Sequence, residues 1–135
     1  MEVCPTGWHL PNQYEFETLA NAVGGDSIAG KRLKSVDHWG QNKNGTDDYS
    51  FRVLPAGLYE ENVDWDSEGE SQTKGEYYGI GSSANFWASG EESEINVDGI
   101  DESAYATFRL EASSDAVTTD FALYSLHYSV RCVMD

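Results

Sequence analysis

Apolar residues recur at Phe16, Leu19, Ala20 and Val23, which are positions i, i+3, i+4 and i+7 of one helical stripe. Asn12 stands ahead of them with a side-chain oxygen able to cap the first turn. Glu15 follows three residues later, where its carboxylate can reach back to the Asn12 amide. Pro11 marks the entry and Gly24-Gly25 the exit, so the pattern predicts a helix over residues 12–23. A short second helix is expected over 28–33, with Ala29 and Leu33 turned inward. The periodicity then stops. Residues 37–50 are polar and turn-rich and read as loop. Residues 51–54 read as a short strand closed by Pro55-Ala56-Gly57. Residues 60–81 are rich in acid, Gly and Ser, with little periodicity. They are expected to form a long loop, and loops of such length are usually functional or mobile.

Strand signals return over 85–89, 105–110, 121–124 and 128–133. Tyr105, Thr107 and Arg109 alternate with Ala106, Phe108 and Leu110, the period of two expected of a half-buried strand. In 128–133 both alternating sets contain apolar residues, so that strand is expected to be central and covered on both faces. Helices come first and strands afterwards, which argues an α+β domain. Neither an internal repeat nor a linker divides residues 1–135, so one domain is expected.

Composition narrows the partners. Aromatic residues make up 13% of the 135 positions, enough for an ordered core. Against 24 acidic residues stand 8 basic ones, for a net charge of −16. That charge repels phosphate backbones and anionic membranes, so nucleic acid is excluded as a partner. It leaves a cation, a neutral glycan or a basic protein patch. No apolar run approaches the ~20 residues of a membrane helix. Met1-Glu2-Val3 runs directly into the first motif without a leader, so a mature module cut from a longer exported protein is expected, with other domains of its parent beside it.

Cys4 and Cys132 stand near opposite ends of the chain. A bond between them would close nearly the whole domain into one loop, worth about 5 kcal/mol in the chain-entropy model. It would persist only in an oxidising compartment. The alternative is a pair of buried free thiols.

The chain carries no GxSxG, HExxH or P-loop pattern. His9, His38 and His127 are scattered without ligand spacing, and carboxylate pairs follow from sheer abundance. Asp64, Asp66 and Glu68 alternate within the acidic stretch. Calcium takes about 6–8 hard oxygens from such flexible segments, which makes it the one cofactor to consider against a plain solvated acidic loop. Asn44-Gly45-Thr46 is a glycosylation sequon in a suitable host and otherwise a turn.

Five segments appear in order: CPTGWHLPNQYEFETLA, AGKRLKS, GTDDYSFRVLPAG, NFWAS and YSVRCV. Together they resemble the Fibrobacter succinogenes major paralogous domain, a module of exported bacterial proteins. That family is similar to the C-type-lectin-like fold in the branch that includes formylglycine-generating enzymes. The resemblance implies two N-terminal helices on a small antiparallel sheet with long loops, an extracellular or surface setting, and chain ends joined by a Cys4–Cys132 disulfide. It implies no settled activity. The chain departs from the family pattern in lacking strands before CPTGW, in His127-Tyr128-Ser129 where Gly and an apolar residue are common, and in the acidity of 60–81. The EPN, QPD and WND signatures of calcium lectins are absent.

By analogy with this branch, the ligand face is drawn from the later part of the chain. Trp87, Ser89, Tyr105, Thr107, Tyr124 and His127 are the candidates, since sugar sites combine aromatic faces with hydroxyl and amide groups. Trp65 is a further candidate, because an exposed loop tryptophan calls for a partner. Trp8, Trp39 and Phe51 are expected in the core. The expected function is a non-catalytic extracellular binding or adhesion module for a glycan or protein. A structural tip or spacer domain is the alternative, and a degenerate formylglycine-generating-enzyme relative is a more distant one.

Overall fold

The computed structural model describes residues 3–135, so Met1 and Glu2 at the expected module start lie outside the described residues. Helix α1 spans Gln13–Ala22 and begins with the reciprocal capping expected of Asn12 and Glu15. The Glu15 amide donates to Asn12 Oδ1 at 2.9 Å, and the Asn12 amide donates to Glu15 Oε2 at 2.9 Å. Phe16, Ala20 and Val23 are buried, so the predicted stripe is the face that packs. Helix α2 spans Asp26–Leu33 and buries Ala29 and Leu33. No helix of the described residues is long and apolar enough to cross a membrane.

The described residues add three small antiparallel sheets. In the first, β1 (Trp8–His9) pairs with β8 (Val133–Met134) and brings the chain ends together. The second, in the order β3-β2-β7, contains β2 (Leu58–Trp65), β3 (Ser71–Tyr78) and β7 (Leu126–His127). The third is a meander of β4 (Ser83–Val97), β5 (Ile100–Glu111) and β6 (Val117–Leu123). Its inner face carries Ala84, Phe86, Ala106, Phe108, Leu110 and Val117 against the helices. Phe16 stacks on Phe108 with ring centroids 4.5 Å apart, locking α1 to β5.

Helix α2 is joined to the sheet by backbone and by one buried amine. At Gly30 the helix lies so close to the turn before β6 that an added Cβ would stand 2.5 Å from the Ala116 carbonyl oxygen. Beside it, the Lys31 amide donates to the Asp115 carbonyl at 2.9 Å. Lys34, at the end of α2, is 1% exposed. Its Nζ donates to the carbonyls of Glu111 and Ser114 and lies 4.9 Å from the Trp39 ring centroid. Burial pushes its pKa down, opposed by the charges of Asp115 and Glu111.

Five expectations change. Residues 60–81 are no loop: most belong to the β2–β3 hairpin, whose turn is held by Asp66 Oδ1 accepting from the Glu68 and Glu70 amides. Residues 51–54 form no strand but a single bridge between Lys34 and Val53, held by the Val53 amide on the Leu33 carbonyl at 2.9 Å. Residues 128–133 are not a central strand: Ser129 alone bridges the edge of β4, and Val130 is exposed. Trp8 is 45% exposed at the chain-end sheet, whereas Trp39 is 1% exposed and Phe51 packs against the core. The strands expected over 85–89 and 105–110 are much longer, because Asp98-Gly99 turns β4 into β5 with both residues at positive φ, 52° and 87°. A bulge between Trp87 and Glu92 divides this hairpin into a buried base and an exposed arm.

The chain ends are tied twice. Cys4 and Cys132 form a disulfide across a sequence separation of 128. On the same sheet His9 Nδ1 lies 2.7 Å from Asp135 Oδ1, and its Nε2 lies 2.8 Å from Glu15 Oε1. The bond to Glu15, then that to Asp135, raise the His9 pKa above its ordinary 6.5. The Asn12 amide and then His9 hold Glu15 below its ordinary 4.5.

Three outcomes are expected. Lys34→Met removes the donor to two part-buried carbonyls and costs about 2 kcal/mol in urea unfolding, with an unchanged denaturant slope. Opening the disulfide, by reduction or by Cys4→Ser with Cys132→Ser, costs at most about 5 kcal/mol in the same assay. For His9 the raised folded pKa means its stabilisation is complete below 6.5 and fades as pH rises through the folded value. Glu15 stabilises above 4.5 and loses its contribution as pH falls through its lowered folded value. The melting-temperature gap between the parent chain and His9→Gln is therefore widest between pH 4.5 and 6.5 and narrows as pH rises above 6.5.

Candidate functional site

The outer face of the β4-β5-β6 sheet is where aromatic and polar side chains converge. Residues paired across the register share a face, so Trp87, Thr107 and Asp120 form one row and Asn85, Arg109 and Thr118 the next. Trp87 is half-buried and stacks on Tyr128, with ring centroids 4.6 Å apart and planes 25° apart. Tyr105 meets Trp87 edge-on at 6.4 Å and 89°. Tyr128 reaches this face because residues 128–130 run along β4: the Trp87 amide donates to the Ser129 carbonyl at 3.1 Å, and the Ser129 amide returns a bond to the Asn85 carbonyl at 2.9 Å.

Charge borders the aromatic cluster. Burial raises the Tyr128 pKa, while the nearby charge of Arg109 lowers it and that of Asp120 raises it. Arg109 Nη2 also pairs with Glu111 Oε1 at 2.5 Å. Beyond Arg109 the face opens into a groove of ≈ 380 Å³ lined by Lys43, Leu58, Tyr78, Ser82, Ser83 and Glu111. Buried Asn85 donates to the Gly57 carbonyl and to Ser83 Oγ, both at 3.2 Å, which fixes the floor between cluster and groove.

The expected site residues divide among several places. Trp87 and Tyr105 stand together in the cluster. Thr107 lies on the same face but is 3% exposed, and its hydroxyl donates to the Asp120 carbonyl at 3.2 Å. Ser89 ties β4 to the chain start, its hydroxyl donating to the Leu10 carbonyl and its amide to the Pro11 carbonyl, both at 2.8 Å. His127 belongs to a second cluster on the β3-β2-β7 sheet. There it meets Tyr59 edge-on at 5.3 Å, and Tyr59 meets Tyr77 at 4.9 Å. Tyr124 is 66% exposed in the turn after β6, and Trp65 is 71% exposed at the far end of β2. Asp64 pairs with Lys74 at 3.2 Å, and the Asp66 carboxylate holds its own turn beside Glu68. Among the described residues no group of three or more His, Cys, Asp or Glu gathers as a metal site.

Arg109 shares its strand parity with Tyr105 and Thr107, so alternation in the sequence was enough to find it. Tyr77 could not be found while residues 60–81 read as loop, and Tyr59 gains its partner only once that stretch pairs as β2 and β3. Tyr128 required knowing that its segment runs beside β4.

The fold and this face define a disulfide-closed α+β module with an aromatic and charged outer surface. Its family model matches residues 1–134, and the chain belongs to the Fibrobacter succinogenes major domain family. Neither the curated proteins nor the solved structures contain a match.

Proposed function

We propose that this domain is a non-catalytic, C-type-lectin-like binding module of exported proteins, recognising a glycan through the outer face of the β4-β5-β6 sheet at the cell surface. The observation that carries the reading is the Trp87–Tyr105–Tyr128 cluster beside Arg109 and Asp120. Aromatic rings accept the apolar faces of sugars, while neighbouring charged groups and hydroxyls bind sugar hydroxyls and fix orientation. A protein ligand would use the same anchors, since Trp, Tyr and Arg also dominate protein interfaces.

A non-catalytic role is favoured over a formylglycine-generating-enzyme relative because the Cys4 and Cys132 sulfurs are joined to each other, which leaves no thiol nucleophile. The disulfide also favours an oxidising, extracellular setting. The edge of β3, which pairs with no strand among the described residues, supports a second reading, a structural domain of a surface assembly joined by strand pairing.

The test is a glycan array probed with the oxidised domain in calcium and again in EDTA. A specific hit is expected that weakens at least about tenfold in Arg109→Ala and Tyr128→Ala, with melting curves showing that both variants stay folded. Loss of the hit in EDTA would add a metal to the site. A blank array in both conditions sinks the glycan reading.

A further inference from the structure

Strand β3 is hydrogen-bonded to β2 on one side and, among the described residues, to no strand on the other. All eight of its residues are exposed. Proteins usually blunt such edges with short strands, charged side chains, prolines or bulges, and here the only charges on β3 are Lys74 and Glu76. Ser71–Tyr78 contains no proline, and its register with β2 is unbroken from end to end. The edge is also locally neutral in a chain of net charge −16: it carries one base, Lys74, and one acid, Glu76. Its neighbour β2 carries Glu60, Glu61 and Asp64 and no base.

Lys74 and Glu76 flank Gly75 symmetrically. If two copies of β3 meet antiparallel with Gly75 facing Gly75 of the other copy, each Lys74 stands opposite the other copy's Glu76. The same register sets Thr73 opposite Tyr77 and Gln72 opposite Tyr78. Directly opposed side chains in an antiparallel pair lie about 4.5–5.5 Å apart at Cβ, close enough for both charge pairs to form. Sliding by one register step of the dyad sets Lys74 against Lys74 or Glu76 against Glu76. The charge pattern therefore selects one alignment.

We propose that β3 is a self-association edge, pairing with β3 of a second copy about a two-fold axis through Gly75. The resulting six-stranded sheet runs β7-β2-β3 and then the same strands of the partner in reverse. Gly75 is suited to the axis because the Tyr59 ring lies across it, where an added Cβ would collide with the ring. Tyr59, Val63, Trp65 and Tyr77 share that face of the ribbon, so pairing joins two half-exposed aromatic surfaces into one. Each interface is isologous, so association closes at a dimer. In the single copy, Lys74 reaches Asp64 at 3.2 Å and Glu76 accepts from the Tyr78 hydroxyl at 2.7 Å, exposed contacts that water screens.

The test is sedimentation equilibrium of the oxidised chain from about 10 µM to about 1 mM, at low salt and in 0.15 M salt. One strand pair falls below the about 1,000 Å² of stable interfaces, so a weak monomer–dimer equilibrium is expected. Salt should strengthen it by screening the net repulsion between acidic copies. Lys74→Glu opposes like charges and should weaken the dimer by about tenfold or more. Lys74→Glu combined with Glu76→Lys restores both pairs and should recover association, although the contact to Asp64 stays broken. Melting curves check that each variant is folded. A monomer at about 1 mM for the parent chain overturns the proposal, as does a double variant no better associated than Lys74→Glu.

Discussion

The buried amine of Lys34 is the constraint on which the arrangement of helices and sheet depends. It reaches the carbonyls of Glu111 and Ser114, which end one strand and precede the next, and it lies beside the Trp39 ring. A lysine out of water is tolerable only when its charge is met by acceptors, and two carbonyls with an aromatic face meet it. The consequence is geometric. With Gly30 allowing the α2 backbone against the Ala116 carbonyl, α2 has one seat on the β5–β6 turn. The Val53 amide then donates to the Leu33 carbonyl and the Ser35 amide to the Val53 carbonyl, while the Gly45 amide donates to the Ser35 carbonyl, which brings the 37–50 segment over the same end. That segment holds four non-glycine residues at positive φ, His38, Asn42, Asp47 and Ser50, a conformation that needs such external ties.

Several polar residues of the family-like segments hold the fold. Asn12 and Glu15 cap α1, Asn85 braces the Gly57 turn, Ser89 fastens β4 to the chain start, and Lys34 anchors α2. Most of their polar atoms already have partners within the chain, with Asn85 Oδ1 the exception. The groups still able to meet a ligand lie on the surfaces between these fixings: Trp87, Tyr105, Tyr128, Arg109 and Asp120 on one sheet, and Tyr59, Tyr77 and His127 on the other. This division of labour suits a module whose frame is shared and whose outer faces differ in chemistry.

The acidic residues follow the same division. Much of the negative charge lies on the β2–β3 ribbon and on the outer arm of β4 and β5, where water surrounds the side chains. Like charges that would be costly in the core are screened on projecting ribbons. The core beneath is assembled from alanines and a few large rings, so the sheet and helices approach closely without burying charge other than Lys34.

The two helices, the capping pair at Asn12 and Glu15, the inward stripe of Phe16, Ala20 and Val23, and the alternation of 105–110 were legible in the sequence because each is a local rule of period or cap. The pairing of Cys4 with Cys132 was legible because the chain holds no other cysteine. Residues 60–81 were misread because an exposed ribbon has no buried face and hence no alternation to betray it. Asp98-Gly99 is a local turn signal of the same kind, and it is what extends β4 and β5 beyond their apolar cores. What only the tertiary structure decided was the partner of each unpaired group: which carbonyls receive Lys34, that Tyr128 stacks on Trp87, that His127 lies against Tyr59. Those contacts join residues distant in sequence, and their geometry follows from sheet register and helix seating. Sequence determined the local elements because local sterics and hydrogen bonds specify them; the tertiary structure decided the surface because packing alone brings its residues together.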